Sequence, residues 1–229
     1  MAARILSGNT WVLIALFALL AILETLAPRR ELLLSTARRW TQHALLYLAM
    51  SVSFPLIFGA GAIAVAIVRA GRPYALLSRS GLPYPCQIAL WILAADLLRY
   101  GLHRLLHSIA WLWRIHLLHH SDRDFDFTDH FRAHPLEGLV ARFAYLAAIL
   151  LLAPSALAVG CDELIGAAFG MLEHVNFALP ASAERLLRYL FVTPELHRVH
   201  HSIDEREQQR NLGVVFIWWD RLFGTYLET

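Results

Sequence analysis

Asp96-Leu97-Leu98-Arg99-Tyr100-Gly101-Leu102-His103-Arg104-Leu105-Leu106-His107 follows directly on an uncharged run, Leu82 to Ala95. Its polar residues Asp96, Arg99, Tyr100, His103 and His107 recur at steps of three and four. On an α-helix that step returns to one face, so they form a single stripe. The leucines at 97, 98, 102, 105 and 106 cover the other side. Such a helix faces lipid with one side and a polar site with the other. The stretch therefore predicts a helix leaving a membrane, with two imidazoles on its inner face.

Two further clusters repeat the spacing, His116-x-x-His119-His120 and His197-x-x-His200-His201. Trp111 and Trp113, beside the first, suit a membrane–water interface. Thr193-Pro194-Glu195 before the second reads as a helix start, with threonine as cap and proline at the first helical position. One such cluster could be a chance surface patch; two, about eighty residues apart, predict a metal site. The three clusters hold more imidazoles than one zinc ion takes, which is about four ligands. The simplest reading is a two-metal site built from several helices.

The remaining chain says where that site lies. Hydrophobic residues make up 58% of its 229 residues, and the mean hydropathy is +0.50. A soluble domain is nearer ~45–50% apolar. Trp11 to Leu26, Ala44 to Val68, Leu82 to Ala95, Phe143 to Val159 and Leu164 to Leu172 are the apolar runs. Ala44 to Val68 is free of charge and exceeds the ~20 residues that span a bilayer, with Pro55 as its expected kink. The first run is read as a retained anchor, since no small-x-small cleavage site follows it. The expected architecture is an all-α integral membrane protein. It has four to five membrane helices and a cytosolic-side helical cap that holds the histidine-rich dimetal site. Residues 1–83 form the anchoring helices and residues 84–229 the catalytic region, as one integrated domain.

Arg29, Arg30, Arg38 and Arg39 place the first loop inside, which sends every histidine cluster to the cytoplasmic face. Arg69, Arg72 and Arg79 in the second loop weigh against that orientation. All 20 basic residues are arginine, the formal charge is only +2, and no basic stripe suits nucleic acid. Cys86 and Cys161 form no CxxC and are expected as buried free thiols.

Single residues complete the pattern. Asp96, an acid at the end of an apolar run, is a candidate acceptor that orients a ligand histidine. His134 precedes Pro135 in what reads equally as a plain loop. His174 sits in a weak apolar segment, where coordination plus a hydrogen bond would satisfy both ring nitrogens. His130 has no supporting neighbour in sequence, and His43 beside the arginine-rich loop reads as interfacial.

Imidazole suits iron, zinc, copper and nickel alike. HExxH, the signature of zinc hydrolysis, does not occur. A redox-inert zinc cannot split dioxygen, so a many-histidine pair of metals favours two irons. A membrane setting implies a lipid-soluble substrate. A histidine-rich metal transporter is the rival reading. Transporters, however, place ligands near the bilayer midplane on broken helices, whereas these clusters lie beyond the long apolar runs. A non-catalytic scaffold is a third.

The order and spacing of these motifs resemble the fatty acid hydroxylase (sterol desaturase) superfamily of membrane di-iron enzymes. The matching residues run from about 90 to 226. They begin with Asp96, Tyr100, His103-Arg104-x-x-His107, His116-x-x-His119-His120, Thr128 and Arg132-x-His134-Pro135-Leu136-Glu137. They continue through His174-x-Asn176, Thr193-Pro194-x-x-His197-Arg198-x-His200-His201, Asn211-x-Gly213 and Trp219 to Tyr226. The resemblance implies O2-dependent hydroxylation or desaturation of a sterol-like, fatty acyl or ether lipid in a bacterial inner membrane. It implies two iron ions, with zinc able to replace them in a purified form. The implied ligands are His103, His107, His116, His119, His120, His134, His174, His197, His200 and His201, with Asp96 and Tyr100 as catalytic-site residues. Electrons would come from an external ferredoxin- or cytochrome b5-like donor.

Overall fold

The computed structural model describes residues 2–58, 61–70, 72 and 75–228. Six helices carry the apolar sequence: α1 (Ala2–Leu26), α2 (Thr36–Phe58), α3 (Ala62–Ala70), α4 (Tyr84–Ser108), α6 (Pro135–Leu152) and α7 (Ala156–Glu173). The other helices are α5 (Ala110–His120), α8 (Ala181–Leu187), α9 (Pro194–His200), α10 (Glu205–Gln208) and α11 (Trp218–Phe223). A 3-10 turn spans Phe127–Phe131. Among the described residues there is no strand, only an isolated antiparallel bridge between Phe191 and Phe216.

The sequence supplies the helix boundaries. Ser155 caps α7 by accepting the Ala158 N–H, and Thr193 caps α9 by accepting that of Leu196, with Pro194 at the first helical position. Asp126 and Asp129 form a reciprocal capping box around the 3-10 turn. Ile109 alone is extended, with φ −102° and ψ 116°, and its single-residue break separates α4 from α5. That break folds α5 back, so the imidazoles at the end of α4 face those on α5.

Two stretches, Ser7–Leu26 in α1 and Pro135–Leu152 in α6, are long and apolar enough to cross a membrane. Both leave most of their surface uncovered, with Trp11, Leu26, Phe143 and Leu151 exposed. So much outward apolar surface fits membrane association. The expected second span, Ala44 to Val68, is divided between α2 and α3, and positions 59 and 60 of it lie outside the described residues. α2 continues through Pro55, the expected kink, to Phe58, and α3 starts at Ala62. The run from Leu82 extends into α4, which carries Asp96, Arg99 and the first histidines, and the run from Leu164 lies in α7 beside Asp162 and Glu163.

α7 is the central helix, packing against α1, α3, α4 and α9. Trp91 of α4, Ile149 of α6 and Val159 of α7 are fully buried in one apolar cluster, and Phe127, Met171 and Leu20 form another. Within this bundle the Asp162 carboxylate takes both Arg99 terminal nitrogens at 2.7 and 2.8 Å and the Tyr145 hydroxyl at 2.6 Å. A charge pair is tolerated there because each partner is satisfied. Gly166 makes the room, since a Cβ on it would lie 2.9 Å from the guanidinium.

The amino-terminal helices are bonded to the histidine-bearing half. Glu24 accepts the backbone N–H groups of Phe127 and Asn176 at 3.0 and 2.6 Å. Arg39 pairs with Asp126, donating from Nε at 2.7 Å. His43 is buried, against its interfacial reading, because Thr128 and Asp122 bind its two ring nitrogens at 2.7 and 3.0 Å. The cysteine expectation is corrected in the same way. Both thiols are free, but Cys86, in the first turn of α4, is exposed and Cys161 half-buried.

Candidate metal centre

Nine histidines converge into two groups. His103 and His107 of α4, His116 and His120 of α5, and His200 of α9 form the first. His119 of α5, His174 at the end of α7, His197 of α9 and His201 just after α9 form the second. Within each group one ring nitrogen from every histidine lies within 4.8 Å of the others. Each His-x-x-His-His motif therefore serves both groups, which adjoin where His120 stacks on His201 with centroids 4.3 Å apart.

The outer nitrogens set the tautomers. His103 Nδ1 is 2.8 Å from the Leu212 carbonyl, His119 Nδ1 3.1 Å from that of Arg132, His174 Nδ1 2.7 Å from that of Gly170, and His200 Nδ1 3.0 Å from that of Arg210. His116 Nδ1 meets Glu137 Oε1 at 2.9 Å. A carbonyl can only accept, so the four rings on carbonyls donate from Nδ1 and turn a bare Nε2 lone pair inward. Burial, followed by neighbouring imidazoles, pushes the His119 pKa down to about 3 and that of His200 well below its ordinary value, which keeps the rings neutral.

The consequence is a clash of lone pairs. His103 Nε2 lies 3.1 Å from His200 Nε2, and His119 Nε2 lies 3.2 Å from His174 Nε2. Two acceptors at that distance repel unless a cation lies between them. His107 and His120 have both ring nitrogens buried without a protein partner, as does His116 at Nε2. Buried polar atoms left orphaned in this way need a ligand. The donor set fits metal ions, and imidazole admits iron.

A profile of the fatty acid hydroxylase family matches residues 88–225. The chain belongs to the fatty acid hydroxylase family. All nine converging histidines fall inside the matched region. Relatives include an ornithine lipid hydroxylase of Rhizobium tropici, 32% identical over 63% of this chain and 43% of its own length. Human alkylglycerol monooxygenase is 30% identical over 58% of this chain and 29% of its own, and that of Xenopus tropicalis 28% identical over 64% and 32%. The chain thus spans less than half the length of these curated relatives. No solved structure matches.

Other residues of this family member stand differently from their sequence reading. His134 joins neither group; its half-buried ring caps α6, with Nδ1 accepting the Leu136 N–H at 3.2 Å. Pro135 makes it a cap, since the residue before proline is held extended. Asp96 touches no imidazole. It accepts the N–H groups of Val215 and Phe216, both at 3.1 Å, and the Trp219 indole at 2.9 Å. Tyr100 donates to Thr225 at 2.9 Å, and Thr225 donates in turn to Asp220 at 2.7 Å. Asp220 also holds the N–H groups of Leu212 and Gly213 at 2.7 and 2.8 Å. Both residues therefore position the carboxyl-terminal segment, and only through it the histidines.

Two acids with no role assigned from the sequence stand closer to the imidazoles. Glu137 binds His116, and Glu173 Oε2 lies 3.7 Å from His197 Nδ1, with neither of those two atoms otherwise paired. Glu137, three residues after His134, and Glu173, next to His174, were the available signal. A third grouping, His43 with Asp122 and Asp129, also has metal-like spacing. There Asp122 already binds His43 and lies 3.6 Å from Arg132, so its charge is compensated within the protein.

Proposed function

We propose that this chain is a membrane-bound oxidoreductase that uses O2 to hydroxylate or desaturate a lipid, with two irons held by the nine converging histidines. The observation that carries the reading is the pair of inward lone-pair contacts, His103–His200 and His119–His174, each fixed by an Nδ1–H bond to a carbonyl. Iron in the two groups would supply the redox chemistry that activates dioxygen. Hydroxylation balances as C–H plus O2, two electrons and two protons giving C–OH and water. A separate one-electron carrier protein of the ferredoxin or cytochrome b5 class is the electron source.

The chain's own residues supply rigidity and a dry setting. The Nδ1 acceptors on the Leu212, Arg210, Arg132 and Gly170 carbonyls hold each ring in plane and orientation. Trp113 lies against His107 and His120 with centroids 4.9 and 5.3 Å away, and buried Phe125 covers His174 and His201. Exclusion of water by these rings protects a reactive centre from side reactions. The apolar helices bring a lipid to the site, which faces the cytoplasm. The names of the relatives, an ornithine lipid hydroxylase and alkylglycerol monooxygenases, support a lipid with a polar end. Nine converging histidines, five of them locked by outer hydrogen bonds, hold metal firmly, which speaks against a transporter.

The test is mass spectrometry of lipids treated with the purified, iron-loaded protein, a reductant and O2. A gain of one oxygen or a loss of two hydrogens is expected, and it disappears in His120→Ala and His200→Ala. A wild-type protein that binds iron fully yet changes no lipid refutes the proposal.

A further inference from the structure

A cleft lies against one side of the first histidine group. Its volume is about 460 Å³, and it is lined by His107, Trp113, Glu205, Arg206, Gln208 and Gln209. His107 belongs to the five-histidine group, is itself buried, and has both ring nitrogens without a protein partner. The cleft thus ends beside that histidine set, at the buried His107 ring. α10 and the residue after it build its outer wall. Gln208 is braced by donating to the Ser202 carbonyl at 2.7 Å, and Gln209 by donating to that of His107 at 3.3 Å.

The wall is the wrong chemistry for an alkyl chain. Glu205 and Arg206 are charged and exposed, and a hydrocarbon pressed against them would desolvate both without compensation. It suits a group carrying both charges. Arg206 matches a carboxylate or phosphate, and Glu205 together with the Trp113 ring matches an ammonium. Exposed Trp111 and Ile203, two residues from Trp113 and from Glu205, provide apolar anchors at a lipid surface on both strands of chain that form the cleft.

We propose that this cleft binds the zwitterionic headgroup of the lipid substrate, with Glu205 and Arg206 as its specificity-determining residues, so that the carbon oxidised lies at the polar end of the lipid. This rests on the oxygenase reading above. Hydroxylation there follows the same balance, with O2 as oxidant and two electrons from the carrier protein.

Two measurements separate the ideas. The first is equilibrium binding of glycerophosphoethanolamine, a soluble headgroup, to the iron-loaded protein under argon, read as the Trp113 emission difference between wild type and Trp113→Phe. Saturable binding is expected, weakened about tenfold in Arg206→Gln and in Glu205→Gln. The second is turnover in nanodiscs of ornithine lipid, phosphatidylethanolamine, phosphatidylglycerol or diacylglycerol with matched chains, and fragment-ion localisation of the added oxygen. The zwitterionic lipids should be preferred at least tenfold, with the oxygen on the headgroup fragment. Both variants should raise KM about tenfold with kcat reduced less than twofold, and Arg206→Lys should restore part of the loss. Oxygen placed far along the acyl chain, or a headgroup preference untouched by both variants, overturns the proposal. Headgroup binding without oxidation of any lipid refutes the oxygenase reading, and the claim about the oxidised carbon with it, while leaving the cleft as a binding site.

Discussion

Replacing Asn211 should empty the metal centre although Asn211 touches no histidine. Its backbone is left-handed, with φ 52°, and its side chain is fully buried. The Asn211 amide donates to the carbonyls of Leu196 and Leu227, both at 3.1 Å, and its oxygen accepts the Leu227 N–H at 2.9 Å. This one residue thereby ties the end of the chain to α9. Its left-handed turn also aims the carbonyls on either side of it, those of Arg210 and Leu212, at His200 Nδ1 and His103 Nδ1. Asn211→Ala removes three buried hydrogen bonds, each worth about 1 kcal/mol net. It also loses the left-handed tolerance of asparagine, about 1 kcal/mol more. A loss of about 4 kcal/mol is large against a typical stability of ~5–15 kcal/mol. Asn211→Gly keeps the backbone freedom and should lose about 1 kcal/mol less. The assay is thermal unfolding in detergent beside iron per chain by elemental analysis. The ranking expected is wild type, then glycine, then alanine, in both melting temperature and iron content. An alanine variant that melts with wild type and keeps its iron would refute the reasoning, because neither the turn nor its bonds would then hold the histidines.

Two more outcomes follow from packing and hydrogen bonding. Asp96→Ala should lower melting temperature and iron content together, since it frees the Val215, Phe216 and Trp219 donors; loss of turnover with iron intact would restore it as a catalytic acid. Gly170→Ala should destabilise by about 1–3 kcal/mol, because its Cβ would stand 2.2 Å from His130 Nδ1 and push the carbonyl that binds His174. Its melting curve beside that of Gly8→Ala, where no atom lies within 4 Å, checks this.

The histidine spacing made most of the centre legible, because a step of three or four fixes a face once the segment is helical. It could not show how faces are shared. Only the break at Ile109 and the packing of α9 on α7 reveal that each His-x-x-His-His motif divides its rings between two groups. His134 carried the same residue type and a family-like setting, yet the adjoining Pro135 made it a helix cap. Asp96 and Tyr100 lay on the histidine stripe, and their partners were more than a hundred residues away in the carboxyl-terminal segment. Such long-range pairings leave no periodic trace. The apolar runs fared similarly. Their composition was visible, but the division between α2 and α3 was not.

The central claim is that nine neutral imidazoles present their lone pairs to two cations. Elemental analysis of the protein purified from iron-replete cells, paired with X-ray absorption at the iron edge, tests it most directly. Two irons per chain with a first shell dominated by imidazole nitrogen is the expected result. A folded protein with at most one metal per chain, or a shell dominated by carboxylate oxygen, would contradict it.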